Sequence, residues 1–280
     1  MTHFLTIVRQ ILKRPISLLG AILICTVISV ALVPDLIATH DPYEMIRGGR
    51  LLPPSNANFF GTDEMGRDMF SRIVHGIGLS LQAGMTAVLI ATVFGTFLGT
   101  IAGFFGGRWF SNVIMRVADI FLAFPPLVMA MAIVAAIGPS LSHASLALGV
   151  VWWPQYTRLT FAQVSSAKNF LYVEAARAGG TKTFKIMFVH ILPNCLGPVI
   201  VKSTLDIGYA ILYTASLSFL GLGAPPPIPE LGTLITMGRA YLLDFWWYPT
   251  FPGFAIFITV MGFNLFGDGI RDALDPSLRV

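Results

Sequence analysis

Few side chains in this sequence could carry chemistry, and none stands in a catalytic pattern. Gly179-Gly180-Thr181-Lys182-Thr183 comes near a phosphate-binding loop, but Thr181 rather than Gly precedes Lys182. The glycine-rich backbone that cradles phosphates is therefore missing. The sequence also lacks an H-E-x-x-H motif and any paired Cys/His ligand set. Cys25 and Cys195 lie far apart, in or beside apolar runs, and read as small hydrophobes. The ionisable residues in unusual settings are Asp119 and Asp206, which stand in apolar surroundings about two turns from the inner ends of their segments. Acids there are costly. The expectation is pairing with Arg116 or Lys202, or a hydrogen bond at a helix end, ahead of a proton or ion path. His75 and His143 are expected to make polar surface contacts rather than to bind metal.

These residues must be positioned by membrane-spanning helices. Of 280 residues, 55% are hydrophobic and only 11% charged, with mean hydropathy +0.75. A soluble domain carries about 25% charged residues, so a water-facing surface cannot be built from this inventory. Six apolar stretches run roughly over 16–34, 79–104, 112–137, 143–161, 196–220 and 250–267. A helix of about 20 residues crosses the hydrocarbon core, so each stretch is read as one span. The first follows Arg9, Lys13 and Arg14, exceeds a usual signal core and has no clear cleavage site; it is read as an uncleaved span. Gly95, Gly99 and Gly103 form a GxxxGxxxG stripe. Such stripes let helix backbones approach closely, and packing is preferred over a pore-facing role.

Charge assigns the sides. With six spans and an inner N-terminus, Arg9, Lys13, Arg14, Arg108, Arg158, Lys168, Arg177, Lys182, Lys185, Arg271 and Arg279 fall in or beside inner segments. Arg47, Arg50, Arg67, Arg72 and Arg239 fall outside, four of them in the long first loop, 35–78, among acidic residues. The excess of inner Lys and Arg predicts N-in, C-in. The net charge of +4 then reflects topology, and nucleic acid is not an expected partner. The cluster Phe245-Trp246-Trp247-Tyr248 is placed in an aromatic belt at the outer edge of the last span.

The most informative segment is the inner loop at 162–195, with NFLYVEAARAGGTKTFKIMFVHILPN at 169–194. Asn169 is a candidate N-cap for a short helix over 170–178, which Gly179-Gly180 ends. Thr181 can cap a second helix that is expected to stop near Pro193. Small residues on an exposed helix, followed by a glycine turn, suit close docking into another protein's groove.

Glu174-Ala175-Ala176, then Gly180, then Ile191-Leu192-Pro193, resembles the EAA loop of bacterial ABC importer permeases. FGTDEMGRDMFSRIVHGIGLSL at 60–81, LAFPPLVMA at 122–130, SLSFLGLGAPPP at 216–227 and GDGIRDALDPSLR at 267–279 resemble the C-type component of the dipeptide/oligopeptide/nickel branch. The resemblance implies an all-α membrane protein with six transmembrane helices in the type I ABC importer permease fold. Residues 1–78 would hold the N-terminal tail, first helix and long outer loop, and 79–280 the core permease domain of five helices. It implies that Glu174, Ala175, Ala176, Arg177, Gly180, Ile191, Leu192 and Pro193 couple the pore to an ATPase. It also implies a second permease subunit in a heterodimer, two ABC ATPase subunits that bind ATP and Mg, and an extracytoplasmic substrate-binding protein. No cofactor is expected in this chain. Asp63, Glu64, Arg67 and Asp68 form a charged knot that could meet the binding protein, because charge pairs at a docking rim set orientation; self-pairing is the plainer reading. The expected setting is a bacterial or archaeal inner or plasma membrane. The expected cargo is short peptides, with nickel chelates or glutathione open. A secondary transporter, which would show inverted repeats and coordinating acids in broken helices, is the alternative.

Overall fold

The computed structural model describes residues 14–274; Arg9, Lys13 and Arg279, on which part of the charge reading rests, lie outside them. The first helix, α1 (Pro15–Leu32), opens with proline at its first position, where the missing N–H costs nothing. It closes at Val33 before Pro34, which starts the single turn α2 (Pro34–Ile37). A loop over 38–68 leads to α3 (Met69–Phe104), 36 residues long, or about 54 Å at 1.5 Å per residue. That exceeds a hydrocarbon core of about 30 Å. The apolar stretch at 79–104 is therefore only part of α3. Its earlier turns are supported by packing, with Met69 and Ile73 buried against Leu231, Leu234, Trp247 and Tyr248.

The 112–137 stretch is not one helix. It divides into α4 (Trp109–Ala123) and α5 (Pro126–Ile137), bent by 93°. Proline cannot donate a backbone hydrogen bond, and the residue before it avoids helical geometry. Pro125-Pro126 imposes both restrictions at once, and Phe124 adopts extended backbone. Next comes α6 (Leu141–Ala167), followed by the short α7 (Leu171–Ala178). Then α8 (Thr183–Lys185), a π-helical turn (Ile186–Ile191) and α9 (Leu192–Phe219) run together as one helix, Thr183–Phe219. The described residues finish with α10 (Leu231–Gly238) and α11 (Trp247–Leu274).

Among the described residues, α1, α3, Thr183–Phe219 and α11 are long and apolar enough to cross a membrane, and the bent pair α4–α5 would make a fifth. At 27 residues α6 is long enough, about 40 Å, but it is less apolar than these four. It lies at the centre, packed by α3, α4, α5 and α9, so its composition answers to protein neighbours rather than to lipid.

The glycine stripe explains the α3–α6 contact. A Cβ on Gly95 would lie 2.4 Å from the Trp153 carbonyl oxygen, on Gly99 2.5 Å from that of Thr157, and on Gly103 2.8 Å from that of Phe161. The parallel order of these contacts shows that the two helices run in the same direction at minimal separation. Bare backbone at the contact lets polar groups bridge it. Thr157 Oγ1 donates to the Gly95 carbonyl at 3.0 Å, and Lys168 Nζ to that of Gly103 at 3.1 Å. The C-terminal ends of α3 and α6 thus meet beside the 162–195 loop, and the 38–68 loop lies at the other end. Arg14 pairs with Asp272, placing both ends of the described chain together; α1 rises from there and α11 returns.

Two further sequence expectations change. Pro193 does not end its helix. Its ring removes the N–H that would reach four residues back, and the preceding turn widens so that Leu192 N–H bonds to the Met187 carbonyl. Asn194 Nδ2 supplies a donor to the His190 carbonyl at 2.8 Å. The aromatic cluster, too, is divided: Trp247 and Tyr248 are buried against the 38–68 loop and only Trp246 is largely exposed.

Candidate functional site: the exposed loop helix and the charged knot

The helix α7 is held to the bundle by a narrow stripe. Val173 is fully buried among Val164, Ala167, Ile186, Ile191 and Cys195, and Ala176, one turn on, packs at the margin. The Arg177 guanidinium sits 5.4 Å from the centre of the Phe104 ring, a cation–π contact that ties α7 to the end of α3. Glu174, Ala175, Ala178, Gly179 and Gly180 face outward.

Hydrogen bonds at the end of α7 fix the turn. Gly180 N–H bonds to the Arg177 carbonyl at 3.0 Å and Thr181 N–H to that of Ala176 at 3.1 Å, the pairing of a Schellman cap. Gly180 takes φ +74°, a left-handed conformation that strains any side chain with a Cβ. A Cβ there would nonetheless meet nothing within 4 Å. The requirement for glycine is conformational within this chain, and the space beside it is open.

The eight residues carried forward from the sequence are therefore split. Glu174, Ala175 and Gly180 are exposed, Ala176 is half-buried, and Arg177 bridges to Phe104. Ile191 is fully buried beneath Val173, Leu192 is half-buried and Pro193 is exposed in the continuous helix. Asn169 does not cap α7: Phe170 occupies that position without a side-chain bond, and Asn169 Nδ2 instead donates to the Ser165 carbonyl at 3.4 Å. Lys182, not Thr181, precedes α8. Sequence reading missed the large apolar residues around the small ones. Leu171 is 82% and Phe184 69% exposed. The signal was available: Val173 and Ala176 fill the inward i, i+3 stripe, so Leu171 has no place in the core. Exposed apolar surface rimmed by charge marks a protein interface.

The knot at the other end is the reverse. Asp63, Arg67 and Asp68 are buried, with Glu64 half-buried. Asp63 accepts the Met65 and Arg67 backbone N–H groups at 2.8 and 2.9 Å and Arg67 Nε at 2.6 Å. Arg72, fully buried and not singled out from the sequence, lies 3.5 Å from Asp63 and donates to the Pro42 and Pro227 carbonyls at 2.8 and 3.3 Å. Asp68 caps α3 through Ser71 N–H at 2.8 Å and takes Asn58 Nδ2 at 2.8 Å. Glu64 accepts from the Tyr248 hydroxyl. This network folds the 38–68 loop and ties it to the 225–227 turn and α11. Three of the four side chains proposed to meet a binding protein are turned inward.

Asp119 pairs with Arg158 on α6 at 2.5 Å rather than with Arg116. Asp206 pairs with Lys202 at 3.0 Å, as expected, and also accepts the Tyr156 hydroxyl at 2.7 Å. It stands at the midpoint of α9, not near an end. His75 contacts Asp35 and the Ser71 carbonyl, and His143 the Gly138 carbonyl. No group of His, Cys, Asp and Glu able to hold a metal occurs among the described residues.

Residues 95–280 match the family described as binding-protein-dependent transport system inner membrane component. The chain belongs to this family. The permease is 47% identical over 262 residues, 94% of its length and 88% of the relative's, to the probable D,D-dipeptide transport system permease protein DdpC of Escherichia coli K12. It is 45% identical over 271 residues, 97% of its length and 89% of the relative's, to the dipeptide transport system permease protein DppC of Alkalihalophilus pseudofirmus. In fold the permease is similar to a chain of the inward-facing MetNI methionine ABC transporter, with TM-score 0.56 and 18% identity, covering 74% of this chain and 98% of that one.

Proposed function

We propose that this permease is the pore subunit of an ATP-driven importer of short peptides, working by alternating access. The observation that carries the reading is α7. It is an eight-residue helix anchored by Val173 and Arg177, closed by Gly180, and open on the face bearing Glu174 and Ala175. Small residues there admit a partner's backbone, and Leu171 and Phe184 offer the apolar rim. An ABC ATPase subunit docks on this face and a second permease completes the pore. ATP and Mg are bound by the ATPases, and an extracytoplasmic binding protein delivers the cargo. The names of the dipeptide permeases to which the chain is similar support peptides as that cargo. All six stretches cross the membrane on this reading, with α6 shielded at the centre and α4–α5 as a broken span. Both termini and the coupling loop lie on the cytoplasmic side, which the inner excess of Lys and Arg supports.

The binding protein meets the exposed surface that the knot supports rather than the knot itself. Gly180→Asp tests the coupling role. The chain should insert at normal abundance while peptide uptake and binding-protein-stimulated ATP hydrolysis are lost. Normal uptake together with normal ATPase binding would sink the reading.

A further inference from the structure

The coupling surface and the knot leave one set of charges without a role. Arg158 and Asp119 pair between α6 and α4, and Lys202 and Asp206 pair along α9. A link joins them: Lys202 Nζ donates to Gln155 Oε1 at 2.9 Å, and Gln155 stands one turn before Arg158 on α6. The result is a polar belt across three helices. It lies well within the length of the helices rather than at their ends, since Arg158 is only about 6 Å along α6 from the helix midpoint. It is also open to the surroundings of the isolated chain, with the Arg158 side chain 55%, Asp119 37% and Lys202 26% exposed.

Exposed charge at that depth cannot rest against lipid at an acceptable cost. The backbone nearby points the same way. The helix breaks between Ala123 and Pro126, one turn beyond Asp119, and Ala123, Phe124 and Pro125 are exposed. Irregular backbone at membrane depth is tolerated only where protein covers it or water lines it. The belt and the break share one stretch of α4, and neither suits a lipid neighbour.

We propose that Asp119, Arg158, Gln155 and Lys202 line the translocation path and receive the two charged ends of a zwitterionic short peptide. The proposal rests on the peptide-importer reading. Arg158 and Lys202 offer donors to the peptide's carboxylate, and Asp119 accepts from its ammonium group. In the empty path Asp119 and Arg158 neutralise each other. A zwitterion that enters between them replaces each partner with one of equal charge, so net charge in the path is unchanged. Tyr156 and Lys202 hold Asp206 on the wall. Contacts made to charges common to all peptides, and not to side chains, give a path that is permissive and weak enough to release its cargo.

The test uses the complete transporter, with partner permease, ATPases and binding protein, in proteoliposomes, and alanyl-alanine as probe. If the unaltered transporter takes up no alanyl-alanine with ATP, the peptide reading falls and not the belt alone. If it does, the double variant Asp119→Asn/Arg158→Gln should lose about tenfold in uptake while binding-protein-stimulated ATP hydrolysis stays within about twofold. Arg158→Lys should keep most of the uptake. Uptake unchanged in the double variant, or uptake and hydrolysis falling together, overturns the proposal. Accessibility gives an independent measure. With Cys25→Ser and Cys195→Ser as background, Asp119→Cys should react with a charged, membrane-impermeant thiol reagent in the assembled transporter. Saturating alanyl-alanine should slow that reaction by about threefold or more. No reaction in the assembled transporter, or reaction indifferent to the dipeptide, overturns it as well.

Discussion

At the Met69 end of α3, Asp63, Arg67, Asp68 and Arg72 lie buried and bonded to one another and to backbone. At the Phe104 end, Glu174 and Arg177 stand exposed on a short helix that Val173 holds in place. Both segments are rich in charge and glycine in the sequence, which reads the first chiefly as a self-paired knot and the second as a docking surface. Burial separates them. A buried charge that loses its partner is strongly destabilising, so the first end serves the chain's own fold. An exposed charge on a weakly anchored helix contributes little to that fold, so the second end is free to serve a neighbour.

The largest expected effect of substitution falls at the buried end. Asp63→Ala leaves buried Arg72 without its carboxylate and Arg67 with only the more distant Glu64 at 3.8 Å, and should cost about 3–5 kcal/mol, seen as a large drop in the melting temperature of the solubilised chain. A melting temperature close to that of the unaltered chain would erase the distinction between the two ends. Gly99→Leu comes next, because the added side chain would start 2.5 Å from the Thr157 carbonyl oxygen. Overpacking of about 1–3 kcal/mol is expected, readable as a lower melting temperature and weaker cross-linking between cysteines placed on α3 and α6. Gly180→Ala should cost about 1–2 kcal/mol through its left-handed backbone, confined to α7. Hydrogen exchange of α7 amides should rise while the global melt hardly moves. Smallest in stability is Glu174→Gln, within about 0.5 kcal/mol. It should still weaken co-purification of the ATPase, and an unchanged yield of complex would remove Glu174 from the coupling surface.

Although the 112–137 stretch reads as one apolar span and conceals its break at Pro125-Pro126, the membrane character, the tight glycine stripe and the helix–glycine turn at 171–180 were legible because each depends on local residue type. Partnerships were not. Asp119 had Arg116 one turn away, yet Arg158 from another helix takes the pair; Asp206 found Lys202 on its own helix and Tyr156 across the interface. The inward turn of Asp63 and Asp68 depends on Asn58 and Arg72 converging from either side, which no periodicity reveals. Pro193 misled for a related reason. A proline is expected to stop a helix, but a widened turn and the Asn194 side chain can satisfy the backbone groups it frees. Likewise α6 looked like an ordinary span because hydropathy does not say whether the neighbour is lipid or protein.

The widened turn at Ile186–Ile191 has a mechanical consequence. Thr183 and Asp206 belong to one unbroken helix, with about 35 Å of rod between them. No slack loop separates the surface beside α7 from the charged wall beside Tyr156. A displacement at Thr183 would be carried along this rod toward Lys202 and Asp206, and the π turn and Pro198 are the two places where its backbone hydrogen bonding departs from the regular pattern.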